Sequence, residues 1–197
     1  ETEALTGIFS KAGYEIVNFE DKADVYVINT CTVTNLSDRK SRQIIRKAKS
    51  INKDAIVAVT GCYAQISSQE VGSIPGVNLI IGTKERGKIL DCIKEIESGR
   101  DTLNIVGNIM AAREFEELNI DSYKERTRAF LKIQEGCTQY CAYCIIPYAR
   151  GPVRSRPLED VLREVERLVK SGFKEVVLTG IHVASYGKDL NNTSFLD

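Results

Sequence analysis

Three cysteines lie within eight positions of the segment 136–144, GCTQYCAYC, at Cys137, Cys141 and Cys144. Thiolates at this spacing suit a cubane iron–sulfur cluster, whose reduction potential is set by the surrounding charge, hydrogen bonds and solvent. Three cysteines on a four-iron cluster leave one iron open for a small ligand, as a catalytic zinc site with three protein ligands keeps a position for substrate. The alternatives are a zinc knuckle or plain core cysteines. Zinc sites, however, prefer paired C-x-x-C units with further ligands nearby, and the one histidine, His182, lies far along the chain.

The bulk composition is that of an ordinary globular protein. The 197 residues carry 27 basic and 27 acidic side chains and are 43% hydrophobic, which suits one or two domains with a buried core. Zero net charge argues against a protein that coats nucleic acid, so any such contact must be local. No apolar run could span a bilayer, no secretory signal opens the sequence, and the cysteine pattern favours a reducing compartment. We therefore predict a cytoplasmic protein without a membrane partner.

Strands and helices alternate over the first hundred residues. Hydrophobic patterns predict strands over 24–29, 55–60 and 78–81, and helices over 1–12, 37–51, 64–71 and 85–98. This alternation is typical of an α/β domain with a doubly wound parallel sheet, which we place at 1–99. Because such a sheet normally opens with a strand, whereas this chain opens with a helix, we expect a short N-terminal piece to be missing.

Two further cysteines follow predicted strands of this sheet. Cys31 comes after strand 24–29 and Cys62 after strand 55–60, and ligands bind at the carboxyl ends of strands in open α/β sheets. If these strands are neighbours, about 5 Å apart, both thiols come within reach of one cluster, which a third thiol ending the absent strand would complete. The alternative is that both are small buried hydrophobes, as we predict for Cys92 on an isoleucine-rich helical face.

The second half of the chain predicts a different fold. Residues 100–127 are polar and charged and indicate an interdomain connection, with a short strand over 103–106. A second domain, 128–197, begins with a strand over 129–134 that delivers the cysteine loop at its carboxyl end. A helix over 158–171 and a strand over 175–179 follow, which is how a β/α barrel begins, and loops at the strand ends of such barrels build the active site. A barrel needs roughly 200 residues or more, so we expect only its first units here and a chain cut at both ends.

Two local groups of basic residues are candidates for ligand contact. The first follows one face of the helix predicted at 37–51: Arg39, Arg42 and Arg46. Such a face is either simply solvated or contacts phosphate. The second follows the cysteine loop: Arg150, Arg154 and Arg156. Guanidinium groups suit bidentate recognition of carboxylate or phosphate, although these arginines could equally brace the loop.

Several segments together resemble the radical S-adenosylmethionine (SAM) methylthiotransferases. They are NTCTVT at 29–34, TGCYAQ at 60–65, the cysteine loop 136–144, IIPYARG at 145–151 and RSR at 154–156. The segment 178–187, LTGIHVASYG, resembles the branch that acts on N6-threonylcarbamoyladenosine beside the tRNA anticodon. Relatives acting on isopentenyladenosine or on a ribosomal-protein aspartate carry Gln-Asn or Gln-Asp in place of Ile181-His182.

This resemblance implies an enzyme with SAM and two [4Fe–4S] clusters that places a methylthio group on C2 of the adenine through radical chemistry. One cluster would be held by Cys137, Cys141 and Cys144, and an auxiliary cluster by Cys31, Cys62 and a cysteine preceding Glu1. SAM would also contact Tyr143, Arg154, Thr179 and Gly180. Contacts to tRNA would come from Arg39, Arg42, Arg46, Arg150, Arg156 and His182.

The resemblance further implies two partners besides tRNA, namely an electron donor such as flavodoxin or ferredoxin and a donor of sulfur. Two other functions stay open at this point. One is a methylthiotransferase acting on the ribosomal protein, and the other is a non-enzymatic iron–sulfur electron carrier. For His182, a role in structuring its loop is the alternative to substrate contact.

Overall fold

The computed structural model describes residues 1–118, 127–191 and 193–196. The chain forms two compact units, Glu1–Ile109 and Met110–Asp197. The interdomain connection predicted at 100–127 falls across the division between these units, and its residues 119–126 lie outside the described residues. Each unit is an α/β fold with its own sheet and its own core.

The first unit contains four parallel strands in the order β1-β2-β3-β4. The strands are β1 (Val25–Thr30), β2 (Ile56–Gly61), β3 (Leu79–Ile81) and β4 (Leu103–Ile105). The helices are α1 (Thr2–Lys11), α2 (Asn35–Ile51), α3 (Cys62–Ile66), α4 (Ser68–Gly72) and α5 (Ile89–Glu97). The predicted alternation is thus confirmed, and the short strand near 103–106 joins this sheet. The helix predicted over 64–71 is two helices, because the backbone leaves the helical region at Ser67, with φ −122° and ψ 43°.

Side chains that alternate along the strands fill a core on each face of the sheet. Val57 and Val59 point to the face covered by α2, α3 and α4, where they meet Ile45. Ala58, between them, points to the other face, which α1 and α5 cover with side chains such as Phe9. Strand side chains point to opposite faces at successive residues, so the near-continuous apolar run of β2 is what a sheet covered on both faces requires. The doubly wound arrangement follows.

Helix α2 begins two residues before the predicted start because of its capping residue. Thr34 has extended backbone angles, and its hydroxyl accepts a hydrogen bond from the Ser37 N–H at 3.1 Å. A side-chain cap of this kind satisfies one of the amide groups left over at a helix start and contributes about 1 kcal/mol. The segment between β1 and α2, which begins with Cys31, is therefore only residues 31–34.

The second unit has a three-stranded sheet in the order β6-β5-β7. Its elements are β5 (Arg128–Glu135), α6 (Ile146–Arg150), β6 (Arg154–Ser155), α7 (Leu158–Lys170) and β7 (Glu175–Gly180). β5 pairs parallel with β7 and antiparallel with β6, and its inward side chains Leu131 and Ile133 pack against Val161 of α7. The predicted strand–helix–strand order is confirmed, whereas α6 and β6 were not predicted because elements of five and two residues carry no readable period.

Among the described helices of both units, none combines the length and apolarity that crossing a bilayer requires.

Candidate functional site

The cysteine loop begins directly after β5 and folds back on the chain that follows α6. The Cys137 N–H donates to the Gly151 carbonyl at 3.0 Å, and the Cys144 N–H donates to the Cys141 carbonyl at 2.9 Å. Gly136 has a φ of +75°, and a Cβ at this position would collide with the Pro152 carbonyl. Glycine is therefore required here both for its backbone conformation and for the close approach. These contacts fix the base of the loop.

The three thiols of this loop suit a cluster by their chemistry and placement. Cys141 is exposed, Cys137 and Cys144 are half-buried, and Tyr143 is 93% exposed, so a ligand can reach the loop. Thiolates are the soft ligands that iron–sulfur clusters take. Within the described ranges, no three His, Cys, Asp or Glu side chains lie close enough together to hold a metal ion. The donors fit the cluster in kind.

A buried carboxylate lies directly beneath the loop. Glu135, the last residue of β5, is fully buried, and its Oε1 accepts from Arg150 at 2.6 Å while its Oε2 accepts from Lys132 at 3.1 Å. Arg154, 1% exposed, lies 3.7 Å from Oε2 and also donates to the carbonyls of Arg150 and Pro152 at 2.9 and 3.1 Å. These contacts support the bracing alternative for Arg150 and Arg154.

Sequence reasoning missed Glu135, although a signal was present. No carboxylate occurs between Glu135 and Glu159, whereas three arginines do. A buried guanidinium must be paired, so arginines drawn into the interior from this run point to a buried carboxylate at one of its two ends, Glu135 or Glu159.

Arg156 directly follows β6 and has other partners. Its side chain is 6% exposed, and its Nη2 lies 3.8 Å from Glu117 Oε2. Burial, and next a hydrogen bond with Asp160, raise the pKa of Glu117, while the charge of Arg156 opposes this shift. Arg156 therefore faces a charged pocket on α7 that Arg163 and Glu164 also line.

The end of β7 lies beside the start of the cysteine loop. In the parallel pairing of β5 with β7, Gly180 is opposite Gln134, so Thr179, Gly180 and His182 reach the same edge of the sheet as Cys137. The Thr179 hydroxyl donates to the Leu131 carbonyl at 3.2 Å, and His182 Nδ1 lies 2.7 Å from Ser185 Oγ. The structure thus brings together the loop and strand-end residues that the sequence assigned to one site.

In the first unit, Cys31 and Cys62 follow two hydrogen-bonded strand ends, with Thr30 opposite Gly61 in the parallel register of β1 and β2. The predicted neighbour relation of these strands is confirmed. Gly61 has a φ of +95°, and a Cβ there would collide with the Thr30 carbonyl, so glycine lets the strand ends approach. Cys31 is exposed, and Cys62, the first residue of α3, is 5% exposed.

Cys92 is a core residue, as predicted. It is buried on α5 in the cluster that contains Ile89 and Ile93, and burial is the main cause that raises the pKa of its thiol. It therefore serves as an internal comparison for the five cysteines at strand ends and in the loop.

The basic residues of α2 differ in their surroundings. Arg39 and Arg46 are exposed. Arg42 donates to the Tyr63 hydroxyl at 2.9 Å and to Glu70 at 3.0 Å, and its guanidinium lies 5.8 Å from the centre of the Tyr63 ring. Arg42 thus connects α2 to α3 and α4, whereas the other two face solvent.

Comparison with known proteins gives matches along most of the chain. Residues 1–82 match the family model described as uncharacterized protein family UPF0004, and residues 131–190 match that of the radical SAM superfamily. A solved structure of TsrM, a radical SAM methyltransferase from Kitasatospora setae, aligns with a TM-score of 0.58 at 16% identity over 91% of this chain and 44% of that one. At this identity the likeness concerns the fold alone, and it confirms the predicted fold class.

Curated relatives are considerably more similar in sequence. Threonylcarbamoyladenosine tRNA methylthiotransferase MtaB of Bacillus subtilis is 53% identical over 99% of this chain, and that of Aquifex aeolicus is 47% identical over 96%. Ribosomal protein uS12 methylthiotransferase RimO of Trichlorobacter lovleyi is 35% identical over 100%. The chain spans less than half the length of these relatives, 43%, 46% and 44% respectively. The radical SAM match implies SAM and a [4Fe–4S] cluster, and with these relatives aligned along its length the chain belongs to the radical SAM methylthiotransferase family.

Proposed function

We propose that this chain is part of a tRNA-modifying enzyme that adds a methylthio group to C2 of N6-threonylcarbamoyladenosine beside the anticodon. The observation that carries the proposal is the identity of 53%, 47% and 40% to three proteins named for this activity, against 34–36% for relatives named for dimethylallyladenosine or for the ribosomal protein. A fourth protein named for this activity is 33% identical. The cysteine loop at the carboxyl end of β5 supports it, because that edge also carries Thr179 and Gly180. An external electron donor such as flavodoxin or ferredoxin and a sulfur donor complete the reaction.

Residues of the second unit would hold the cofactors. Cys137, Cys141 and Cys144 would bind the [4Fe–4S] cluster, and Tyr143, Thr179 and Gly180 would contact SAM. When bound, the cluster and SAM supply one-electron chemistry, which can activate an aromatic carbon that acid–base side chains cannot. The exposed ring of Tyr143 can lie against a ligand. Arg154 contributes by holding the loop through its carbonyl contacts.

A nucleoside assay tests this function. The full-length protein is expressed in a strain that lacks the modification, and tRNA nucleosides are analysed by mass spectrometry. We expect the methylthio product with the wild type and with Cys92→Ala, which alters a core cysteine, and its absence with Cys141→Ala. Methylthiolation of the ribosomal protein in place of tRNA would overturn the assigned substrate. Failure of the reduced wild-type protein to cleave SAM would instead support a plain electron carrier.

We propose a second, auxiliary [4Fe–4S] cluster on Cys31 and Cys62 of the first unit. The paired ends of β1 and β2 support this, since adjacent strand ends place the two residues at one edge of the sheet. A cluster of this kind needs a further ligand besides two thiols. After reconstitution, the full-length protein should hold about eight irons, Cys31→Ala about four, and Cys92→Ala about eight. Equal iron in Cys31→Ala and the wild type would contradict the second cluster.

We propose that the exposed Arg39 and Arg46 contact tRNA phosphates. Each phosphate contact releases counterions, so losing one should reduce the slope of log affinity against log salt by about 1 and weaken binding of all tRNAs alike. Arg39→Gln and Arg46→Gln should show this change in filter binding. Arg100→Gln, which removes an exposed arginine paired with Glu95, is the matched control. Slopes equal to that of the control would contradict the contact. Arg42, Arg150, Arg156 and His182 stay predicted tRNA contacts, although the structure gives each of them a partner within the protein.

A further inference from the structure

Gln134 is a fully buried amide at the edge where the cysteine loop and the end of β7 meet. Its Nε2 donates to the carbonyls of Glu135 and Gly136 at 2.9 and 2.8 Å. Its Oε1 accepts from the His182 N–H at 2.8 Å. Both ends of the amide are therefore occupied, and its orientation is fixed, because a reversed amide would place oxygen against two carbonyls and NH₂ against an N–H.

These hydrogen bonds connect the cysteine loop with the loop after β7. The backbone hydrogen bonds between β5 and β7 do not join these two loops. The pairing of β5 with β7 is regular as far as Lys132 and Thr179, and then shifts before Gln134 pairs with Gly180. Such an irregularity interrupts the ladder hydrogen bonds locally. Beyond it, the Gln134 side chain makes the connection from the first residue of the cysteine loop to the loop after β7.

Gly180 provides the space that this side chain occupies. A Cβ at Gly180 would lie 2.9 Å from both Cβ and Oε1 of Gln134 and 3.1 Å from its carbonyl oxygen. Distances below 3 Å to a side chain held by three hydrogen bonds cannot be relieved by a simple rotation. The absence of a side chain at Gly180 is thus what allows the buried amide of Gln134 to lie against the end of β7.

We propose that Gln134 is a positioning residue for the reaction, whose amide sets the spacing between the cysteine loop and the strand end that holds SAM. It acts through the Gly136 carbonyl and the His182 N–H and touches no reacting atom itself. A site of this kind must hold its groups within a fraction of an ångström, and groups that lock the supporting loops achieve this. This inference rests on the proposed function in so far as it assigns SAM to the end of β7.

Two substitutions separate the two arms of the amide, which are the Oε1 bond to the His182 N–H and the Nε2 bonds to the carbonyls of Glu135 and Gly136. Gln134→Glu keeps an oxygen that accepts from His182 but places the other oxygen against the carbonyls of Glu135 and Gly136. Gln134→Met keeps the length of the side chain and removes both arms. Loss of one buried hydrogen bond corresponds to roughly a tenfold change in an equilibrium constant. Gln69→Glu, an exposed position on α4, is the control for the same change of charge.

The experiment combines hydrogen exchange, iron retention and SAM affinity in the full-length protein. In Gln134→Met, exchange of the His182 amide should accelerate about tenfold and the dissociation constant for SAM should rise about tenfold, with KM for SAM raised more than kcat is lowered. In Gln134→Glu, His182 exchange should stay near the wild-type rate while iron is lost faster to a chelator. The control should change none of these quantities.

Wild-type exchange at His182 together with wild-type SAM affinity in Gln134→Met would overturn the inference. If Gln134→Glu does not fold, Gln134→Met alone decides, since it adds no charge to the interior. A wild-type protein that binds no SAM would overturn the proposed function, whereas the exchange rate of the His182 amide in Gln134→Met still tests the hydrogen bond itself.

Discussion

Replacing Glu135 by glutamine should destabilise the second unit far more than replacing an exposed glutamate of the same sheet. The carboxylate is fully buried, with Arg150 at 2.6 Å, Lys132 at 3.1 Å and Arg154 at 3.7 Å. The neutral amide is nearly the same size, so packing is preserved and the charge alone is lost. Arg150, Lys132 and Arg154 then lose the negative charge that all three face.

The structure sets the expected magnitude. Removing one partner of a buried ion pair costs about 3–5 kcal/mol, because the remaining charge has lost its hydration without compensation. Lys132 and Arg150 are 25% and 12% exposed and recover part of their hydration, whereas Arg154, 1% exposed, does not. We therefore expect a loss of about 3 kcal/mol, a large fraction of the 5–15 kcal/mol by which domains are usually stable.

Glu175→Gln is the matched control. Glu175 is in β7 and pairs with Arg128 of β5 at 2.7 Å, but both side chains are about half exposed, 52% and 54%. An exposed pair contributes less than about 1 kcal/mol, since water screens it and hydrates either partner alone. The two variants thus remove the same group from the same pair of strands and differ in burial.

Hydrogen exchange of peptides from β5 and β7 in increasing urea measures the effect, because it reports on the second unit by itself in a chain with two compact units. The free energy of opening should fall about 3 kcal/mol in Glu135→Gln and less than 1 kcal/mol in Glu175→Gln. A difference of under 1 kcal/mol between the variants would refute the view that the buried charges depend on Glu135.

Further variants test other parts of the molecule. Gly136→Ala should cost more stability than Gly172→Ala, since both have positive φ, worth roughly 1–2 kcal/mol, but a Cβ at Gly172 meets open space; denaturant unfolding compares them. Without clusters, Cys92 should react with iodoacetamide much more slowly at pH 7 than the exposed Cys141, because burial raises its pKa. The raised pKa of Glu117 means that its stabilising contribution, present at low pH, is lost as pH rises through that value. As the pH rises through that pKa, the melting temperature of Glu117→Gln should therefore increase relative to that of the wild type.

The elements that the sequence predicted well are those whose pattern is local. The apolar run of β2 and the alternation around it indicated a sheet covered on both faces, and the position of Cys31 and Cys62 after two such strands placed them at one edge. Proximity of this kind follows from strand direction alone. It needs no knowledge of side-chain partners.

The parts that could not be predicted depend on partners distant in sequence or on very short elements. The bond from Gln134 to His182 joins residues 48 positions apart, and it exists because a pairing irregularity, invisible in composition, leaves that N–H to a side chain. The sequence pattern marked the arginines of 150–156 as candidates but did not show whether they face a ligand or the protein interior. Arginines that bind a ligand and arginines that brace a loop can have the same spacing. Burial separates the two, and burial is decided by the packing of β6.

The contacts that hold the candidate site in place lie beneath the cysteine loop and not at its three thiols. Glu135 with its cations and Gly136 against Pro152 fix the loop at its base, while no three ligating side chains converge among the described residues. A rigid base reduces the ordering entropy that cluster binding has to overcome. Loss of the base, as in Glu135→Gln, should therefore weaken iron retention along with stability, whereas Gln134→Met leaves these ion pairs intact and should loosen only the connection between the cysteine loop and the end of β7.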